Sequence, residues 1–294
     1  MFIKAFLVAG LTFLLLFITP LSYDLPTNPQ PDPVKYGQFK NVHFVFINGL
    51  GCRSNGSCYG DMGFENVRRS LGGLGYSYYD DRFLLYSYKG GRMVDGRWYP
   101  EKYSPGGTAQ PIFFSVNILR ELVEKYSAAH PDAAFILVGH SLGGRVALDF
   151  ITKAPPQLRE KIKGVITLNS PLLGAGKKVP RIIISALEVV DSIWADPAVR
   201  QLLYETEYRQ ELNLYRRETI RELRDEGVRI ATFSFCRDFL VPPLTACVMD
   251  ENNKPCTEGF IINPDSFSIK DLSGHMRILE RPEIANYIYS LCQK

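Results

Sequence analysis

Ala134-Phe135-Ile136-Leu137-Val138-Gly139-His140-Ser141-Leu142-Gly143-Gly144 is the stretch on which the fold of this chain turns. Its first five residues are apolar without a break, as in a strand covered on both faces of a sheet. From Leu142 to Ile151 the spacing becomes helical. Between strand and helix stands G-x-S-x-G. A serine at so sharp a turn needs neighbours without bulk, and its hydroxyl then sits at a helix N-terminus, where backbone amides favour negative charge. The bland alternative, an ordinary glycine-rich turn, is disfavoured by the strand and helix on either side. Ser141 is the candidate nucleophile.

Outward from this turn, short apolar runs alternate with helical patterns, the signature of βα units around a mostly parallel sheet. Val42 to Ile47 predicts a strand that ends in Asn48-Gly49-Leu50-Gly51. Arg82 to Tyr88, Lys163 to Leu168 and Val228 to Phe235 predict further strands, and Ile112 to Tyr126 and Pro282 to Leu291 predict helices. Between Leu172 and Gly227 the rhythm breaks, over a length too great for an ordinary connection. The spacing predicts a helical cap there, inserted after the strand ending near Leu168. Ile182, Ile183, Ala186, Leu187, Val190, Ile193 and Trp194 form one apolar stripe, and Tyr204 and Tyr208 extend it. Ile183, Leu187 and Trp194 are the candidate substrate contacts. Farther on, Leu212, Tyr215, Ile220 and Leu223 are the expected inward positions. A packed cap and a lid over an acyl pocket both fit.

A serine needs a base, and the chain holds four histidines. His43 begins a strand, His130 precedes Pro131 in a turn, and His140 is the elbow residue whose side chain should point away from Ser141. His275, in a loop ahead of the last helix, is left. The acid should lie at a strand end between nucleophile and base, which Asp238 does after Val228 to Phe235. Asp265 and Asp271 have no strand before them, and Asp191 and Asp196 fall in the insertion. Its task is to hold the imidazole in one tautomer and stabilise the imidazolium. The oxyanion of the intermediate needs backbone amides; those of Leu142 and Leu50 are the candidates, the latter flanked by glycines.

Together these segments resemble the lipase and esterase branch of the α/β-hydrolase superfamily, from about residue 41 to the C-terminus. The resemblance is carried by Phe46 to Gly51, the G-H-S-L-G-G turn, Asn169-Ser170-Pro171, Asp238 with Val241-Pro242, and Gly274-His275. Asn48 stands where that family usually has histidine. The resemblance implies a sheet of about eight strands with the site at its C-terminal edge. The sequence has no C-x-x-C, H-E-x-x-H or Cys/His cluster to hold a metal, and no cofactor is expected. The apolar cap and N-terminal run suit a small-molecule or lipid acyl ester as substrate. The resemblance also implies an acyl-enzyme on Ser141. An acyltransferase or thioesterase would use the same triad; a binding protein on this fold would usually lack one of its members.

The bulk properties are those of a globular domain. Of 294 residues, 46% are hydrophobic and 22% charged, and a net charge of +3 without a basic cluster speaks against a nucleic-acid partner. Lys4 precedes an uncharged, largely apolar run from Ala5 to Tyr23, predicting a signal peptide or membrane anchor over residues 1–23 and an extracytoplasmic protein, secreted, periplasmic or anchored. Residues 24–35 read as a proline-rich tether and 36–294 as the folded domain. Six cysteines include two close pairs, Cys52 with Cys58 and Cys247 with Cys256, which predict small disulfide loops, with Cys236 and Cys292 left for a third.

Overall fold

The computed structural model describes residues 41–60, 62–175, 197–238, 240–263 and 274–293. The N-terminal run, the tether and the stripe with Ile183, Leu187 and Trp194 lie outside the described residues, as do Asp265 and Asp271. Among the described residues, no helix is long and apolar enough to cross a membrane.

The strands are β1 (Val42–Ile47), β2 (Phe83–Leu85), β3 (Gly91–Val94), β4 (Arg97–Pro100), β5 (Ala134–His140), β6 (Ile162–Leu168), β7 (Arg229–Phe235) and β8 (Ile261–Ile262). Six of them form one sheet in the order β2-β1-β5-β6-β7-β8, and every pairing in it is parallel. The crossover segments between parallel strands carry the longer helices: α1 (Glu65–Ser70), α2 (Ile112–Ala129), α3 (Leu142–Lys153), α4 (Pro197–Glu207) and α5 (Arg209–Asp225), with α6 (Pro282–Gln293) closing the chain. This is the α/β architecture the alternation predicts.

Alternation along β1 builds two cores. Val45 and Ile47 face one side with Leu137, the α2 residues Leu119, Leu122 and Val123, and Val146 of α3. Phe44 and Phe46 face the other with Ile136, Val138, Val67 of α1, and Ile284 and Ile288 of α6. Burial of β1, β5, β6 and β7 on both faces explains their near-continuous apolar sequences.

The structure meets some expectations and corrects others. The parallel sheet has six strands among the described residues, broadly consistent with the about eight expected. The other two form an antiparallel ribbon, β3 with β4. It turns at Asp95-Gly96, whose φ values of 49° and 74° are the two positive values a tight hairpin of this twist requires. The ribbon is half exposed and has no apolar run. In the cap, α4 and α5 are present, and Leu202, Ile220 and Leu223 join the core. Tyr215, by contrast, is 52% exposed, and Tyr204 and Tyr208 stack on each other at the surface.

The disulfides are also corrected: none of the six cysteines is joined to another. Cys256 donates its N–H to Val248, and Met249 bridges Pro255 in an antiparallel pair. That register sets Cys256 opposite Val248, so Cys247 projects to the other face and the sulfurs diverge. Cys247 is instead buried, which pushes its thiol up to about 12. In the other pair, burial raises the thiol pKa of Cys52. The loop to Cys58 is closed by side-chain bonds from Asn55 and Ser57 to following amides.

Candidate active site

Ser141 lies between β5 and α3 with φ 54° and ψ −127°, a conformation costly for any residue with a Cβ. Three glycines make that turn possible. A Cβ on Gly139 would overlap the backbone of Gly144, one on Gly143 would stand 2.6 Å from the carbonyl oxygen of Asn48, and one on Gly144 would overlap the side chain of Ser170. The lack of bulk read from G-x-S-x-G-G is thus a packing requirement on three sides. The amide of Ser141 donates to the carbonyl of Leu168 at 2.8 Å, which ties the turn to the end of β6.

The loop after β1 lies directly on this turn. A Cβ on Gly49 would be 2.5 Å from the Cβ of Ser141 and 3.0 Å from its Oγ. Tyr88 donates its hydroxyl to the carbonyl of Asn48 at 2.6 Å, and the amide of Gly51 donates to Thr108 Oγ1 at 2.8 Å. The first brace is buried and the second part-buried, so Leu50 is carried on a loop held at either end. Leu142 is the first residue of α3, where an amide has no acceptor within the helix.

Asp238 and His275 meet at the same edge. His275 Nδ1 is 2.7 Å from Asp238 Oδ2. A carboxylate only accepts, so the proton is on Nδ1 and Nε2 carries the lone pair. The other oxygen, Oδ1, accepts the amides of Leu240 and Val241, each at 2.9 Å. Asp238 is fully enclosed, and the turn after β7 holds it through Asp238 N–H to the carbonyl of Phe235 at 3.0 Å.

The other histidines are accounted for. His43, at the opposite end of β1, is lowered to about 4 by burial, then by His130 and Arg82, and contacts Tyr126 at 3.2 Å. His130 bonds the carbonyl of Gly96 at 2.6 Å. His140 is lowered to about 3 by burial and then by His275. It is not a bystander: its Nε2 is 2.7 Å from the carbonyl oxygen of His275. Elimination from sequence set it aside as a base and had no means to see this bond. Asn169, quoted above only as part of a motif, donates to the carbonyls of Gly274 and His275 at 3.0 and 3.1 Å.

A second feature escaped the sequence. Arg145 and Asp149 of α3 bond each other at 2.9 Å. Glu205 of α4 takes Arg145 in a fork at 2.5 and 2.8 Å, and Arg216 of α5 reaches Asp149 at 2.8 Å. Burial alone would raise the carboxyl of Asp149, but Arg145 and Arg216 more than offset it and hold it below its ordinary value.

Residues 107–236 match the family model described as serine aminopeptidase, S33. No curated protein matches the chain. Among solved structures, a lipase-esterase related protein from Clostridium acetobutylicum is similar at 12% identity, covering 87% of this chain and 96% of that one, with a TM-score of 0.49. A carboxylesterase structure from the thaumarchaeon Nitrososphaera gargenis is 13% identical over 87% and 91%, with a TM-score of 0.48. A monoacylglycerol lipase from Paleococcus ferrophilus is 15% identical over 87% and 98%, with a TM-score of 0.39. The parallel sheet in the order β2-β1-β5-β6-β7-β8, the glycine-lined turn into α3 and this family match across it give the chain the α/β-hydrolase fold.

Proposed function

We propose that the protein is a serine hydrolase that cleaves carboxylic esters of hydrophobic acyl groups through an acyl-enzyme on Ser141. One observation supports this above the rest. The residue before Ser141 bonds the main chain of His275, whose ring is in turn bonded to the enclosed Asp238, so three separate segments converge on one edge of the sheet. Nε2 of His275 accepts the Ser141 proton as Oγ attacks the carbonyl carbon. The tetrahedral oxyanion is met by the amides of Leu142 and Leu50, each donor worth about 3 kcal/mol in such sites. The imidazolium, stabilised by Asp238, then protonates the departing alkoxide. Water, deprotonated by the same Nε2, frees the acid.

The match to serine aminopeptidases favours amide cleavage as a second reading. That reading asks for a carboxylate to receive the substrate's amine, and the carboxylate of Asp238 is taken up by His275, Leu240 and Val241. The preference for hydrophobic acyl groups rests on the apolar stripe with Ile183, Leu187 and Trp194. Export or anchoring rests on the N-terminal run alone, because the cysteines add nothing to it. Detection of intact residues 1–40 on cytoplasmic protein would refute it.

A fluorophosphonate probe tests the chemistry. It should label the protein once, on Ser141, and Ser141→Ala should lose labelling and ester turnover while keeping the fold. Labelling of another serine would refute the assignment. In a chain-length series, each methylene that enters an apolar pocket adds about 0.8 kcal/mol, so activity should climb with acyl length.

A further inference from the structure

Resting on the assignment of Ser141, His275 and Asp238 above, we infer that His140 and Asn169 are positioning residues that fix the main chain of the base relative to both nucleophile and acid. The side-chain bond from His275 to Asp238 orients the imidazole ring, yet the ring still travels with its own backbone. That backbone sits in a short helical turn, Gly274–Arg277, with no strand to register it. Two side chains hold it instead.

His140 is joined to Ser141 by a peptide bond and is 2% exposed. Its Nε2 donates to the carbonyl oxygen of His275 at 2.7 Å, which leaves Nδ1 as the acceptor. Among the described residues, that buried Nδ1 has no partner. An enclosed polar atom left unpaired is destabilising. A leucine here would avoid that cost, so it is the single bond to His275 that gives histidine its use at this position. Asn169 works from the other side. It ends β6 with φ 46°, a left-handed conformation that asparagine tolerates. Its Nδ2 donates to the carbonyls of Gly274 and His275, and its Oδ1 accepts the amide of Phe235 at 2.7 Å. Phe235 in turn accepts the amide of Asp238. The path is closed: Ser141, His140, the carbonyl of His275, Asn169, Phe235, Asp238, and back to His275 through its ring. Gly274 completes the fit, since a Cβ there would lie 2.6 Å from the Phe235 ring and 3.0 Å from the carbonyl of Arg237.

The test is a set of variants assayed with a short chromogenic ester, with rates expressed per site titrated by fluorophosphonate and the melting temperature recorded. His140→Leu and Asn169→Ala should lower kcat by roughly 10- to 100-fold, the scale of a misplacement of about 1 Å, with KM within about twofold. His140→Gln should recover most of the rate, because its Nε2 lies the same number of bonds from Cα as the histidine Nε2. His140→Asn, which reaches only as far as Nδ1, should not. Asn169→Asp, which keeps the acceptor for Phe235 and loses the donors, should resemble Asn169→Ala. Wild-type kcat per titrated site in His140→Leu and Asn169→Ala would overturn the inference, as would His140→Gln as impaired as His140→Leu. A loss confined to the fraction of titratable sites would also overturn it, because it would mark a role in folding alone. A wild-type protein that takes no label on Ser141 would instead refute the assignment beneath it.

Discussion

Gly49→Ala is the sharpest single perturbation of this site. Gly49 lacks a left-handed φ, so alanine carries no backbone penalty there, and its effect comes from the new methyl alone. That methyl would stand 2.5 Å from Ser141 Cβ, 3.0 Å from Ser141 Oγ and 3.3 Å from the carbonyl oxygen of His140. Carbon atoms rest at about 3.5–4.0 Å, so the overlap with the nucleophile is roughly 1 Å. Ser141 is held in place, because its amide is bonded to the carbonyl of Leu168 at 2.8 Å and the glycines on either side of it are packed tightly against their neighbours. The loop must move, carrying Leu50 with it. A shift of that size costs on the order of 10²-fold in rate, and loss of one oxyanion donor costs about 10²–10³-fold in kcat. Overpacking should cost stability about 1–3 kcal/mol. Two other glycines give controls. Gly72→Ala meets nothing within 4 Å and should be silent. Gly51→Ala also meets nothing but has φ +75°, and should cost about 1–2 kcal/mol of strain. The assay is kcat per titrated site on a short ester, beside urea unfolding. Wild-type kcat in Gly49→Ala would refute the placement of the oxyanion loop against the nucleophile.

Two further outcomes are expected. Asp149→Ala strands the buried guanidinium of Arg216 and should destabilise by about 3–5 kcal/mol in urea unfolding, with kcat of the folded fraction unchanged; a loss below about 1 kcal/mol would refute the role of the network. Stability should also fall with acid. His43 and His140 are held neutral, lowered to about 4 and about 3, mainly by burial. Below pH 6.5 the unfolded chain binds two protons that the folded chain refuses, so stability drops at up to about 2.7 kcal/mol per pH unit between roughly pH 6 and pH 4. As the pH falls further through the lowered values of Asp149 and Glu205, their contribution is lost as well. Urea midpoints that stay flat from pH 7 to pH 5 would contradict this, and His43→Phe should halve the slope.

Local signals made much of the fold legible, and long-range ones did not. The strands β1, β5, β6 and β7 are near-continuous apolar runs, so composition alone found them. The ribbon was missed because its two strands are short and half exposed; its one signal was Asp95-Gly96, a dipeptide suited to a tight hairpin. Register defeated the cysteines: Cys247 and Cys256 are close in sequence, yet pairing Met249 with Pro255 turns their side chains apart. In the site, Asp238 was found from its place after a strand, and the structure bonds it to His275. The hold of His140 and Asn169 on His275 spans 135 and 106 residues, which no spacing reveals.

The buried charges explain why the cap helices belong to the core. In Leu142-Gly143-Gly144-Arg145-Val146-Ala147-Leu148-Asp149-Phe150-Ile151 every residue is buried, so a sequence pattern shows Arg145 and Asp149 only as interruptions. On α3 alone they satisfy each other by one bond, at 2.9 Å. Glu205 and Arg216 supply the rest, and each comes from a different cap helix. The four charges alternate in sign along the chain of contacts, so none is left uncompensated while α4 and α5 stay in place. Lifting either helix separates at least one pair inside the protein, at about 3–5 kcal/mol. These two helices are therefore tied to α3, the helix that begins directly after Ser141, by buried charge pairs as well as by apolar contacts.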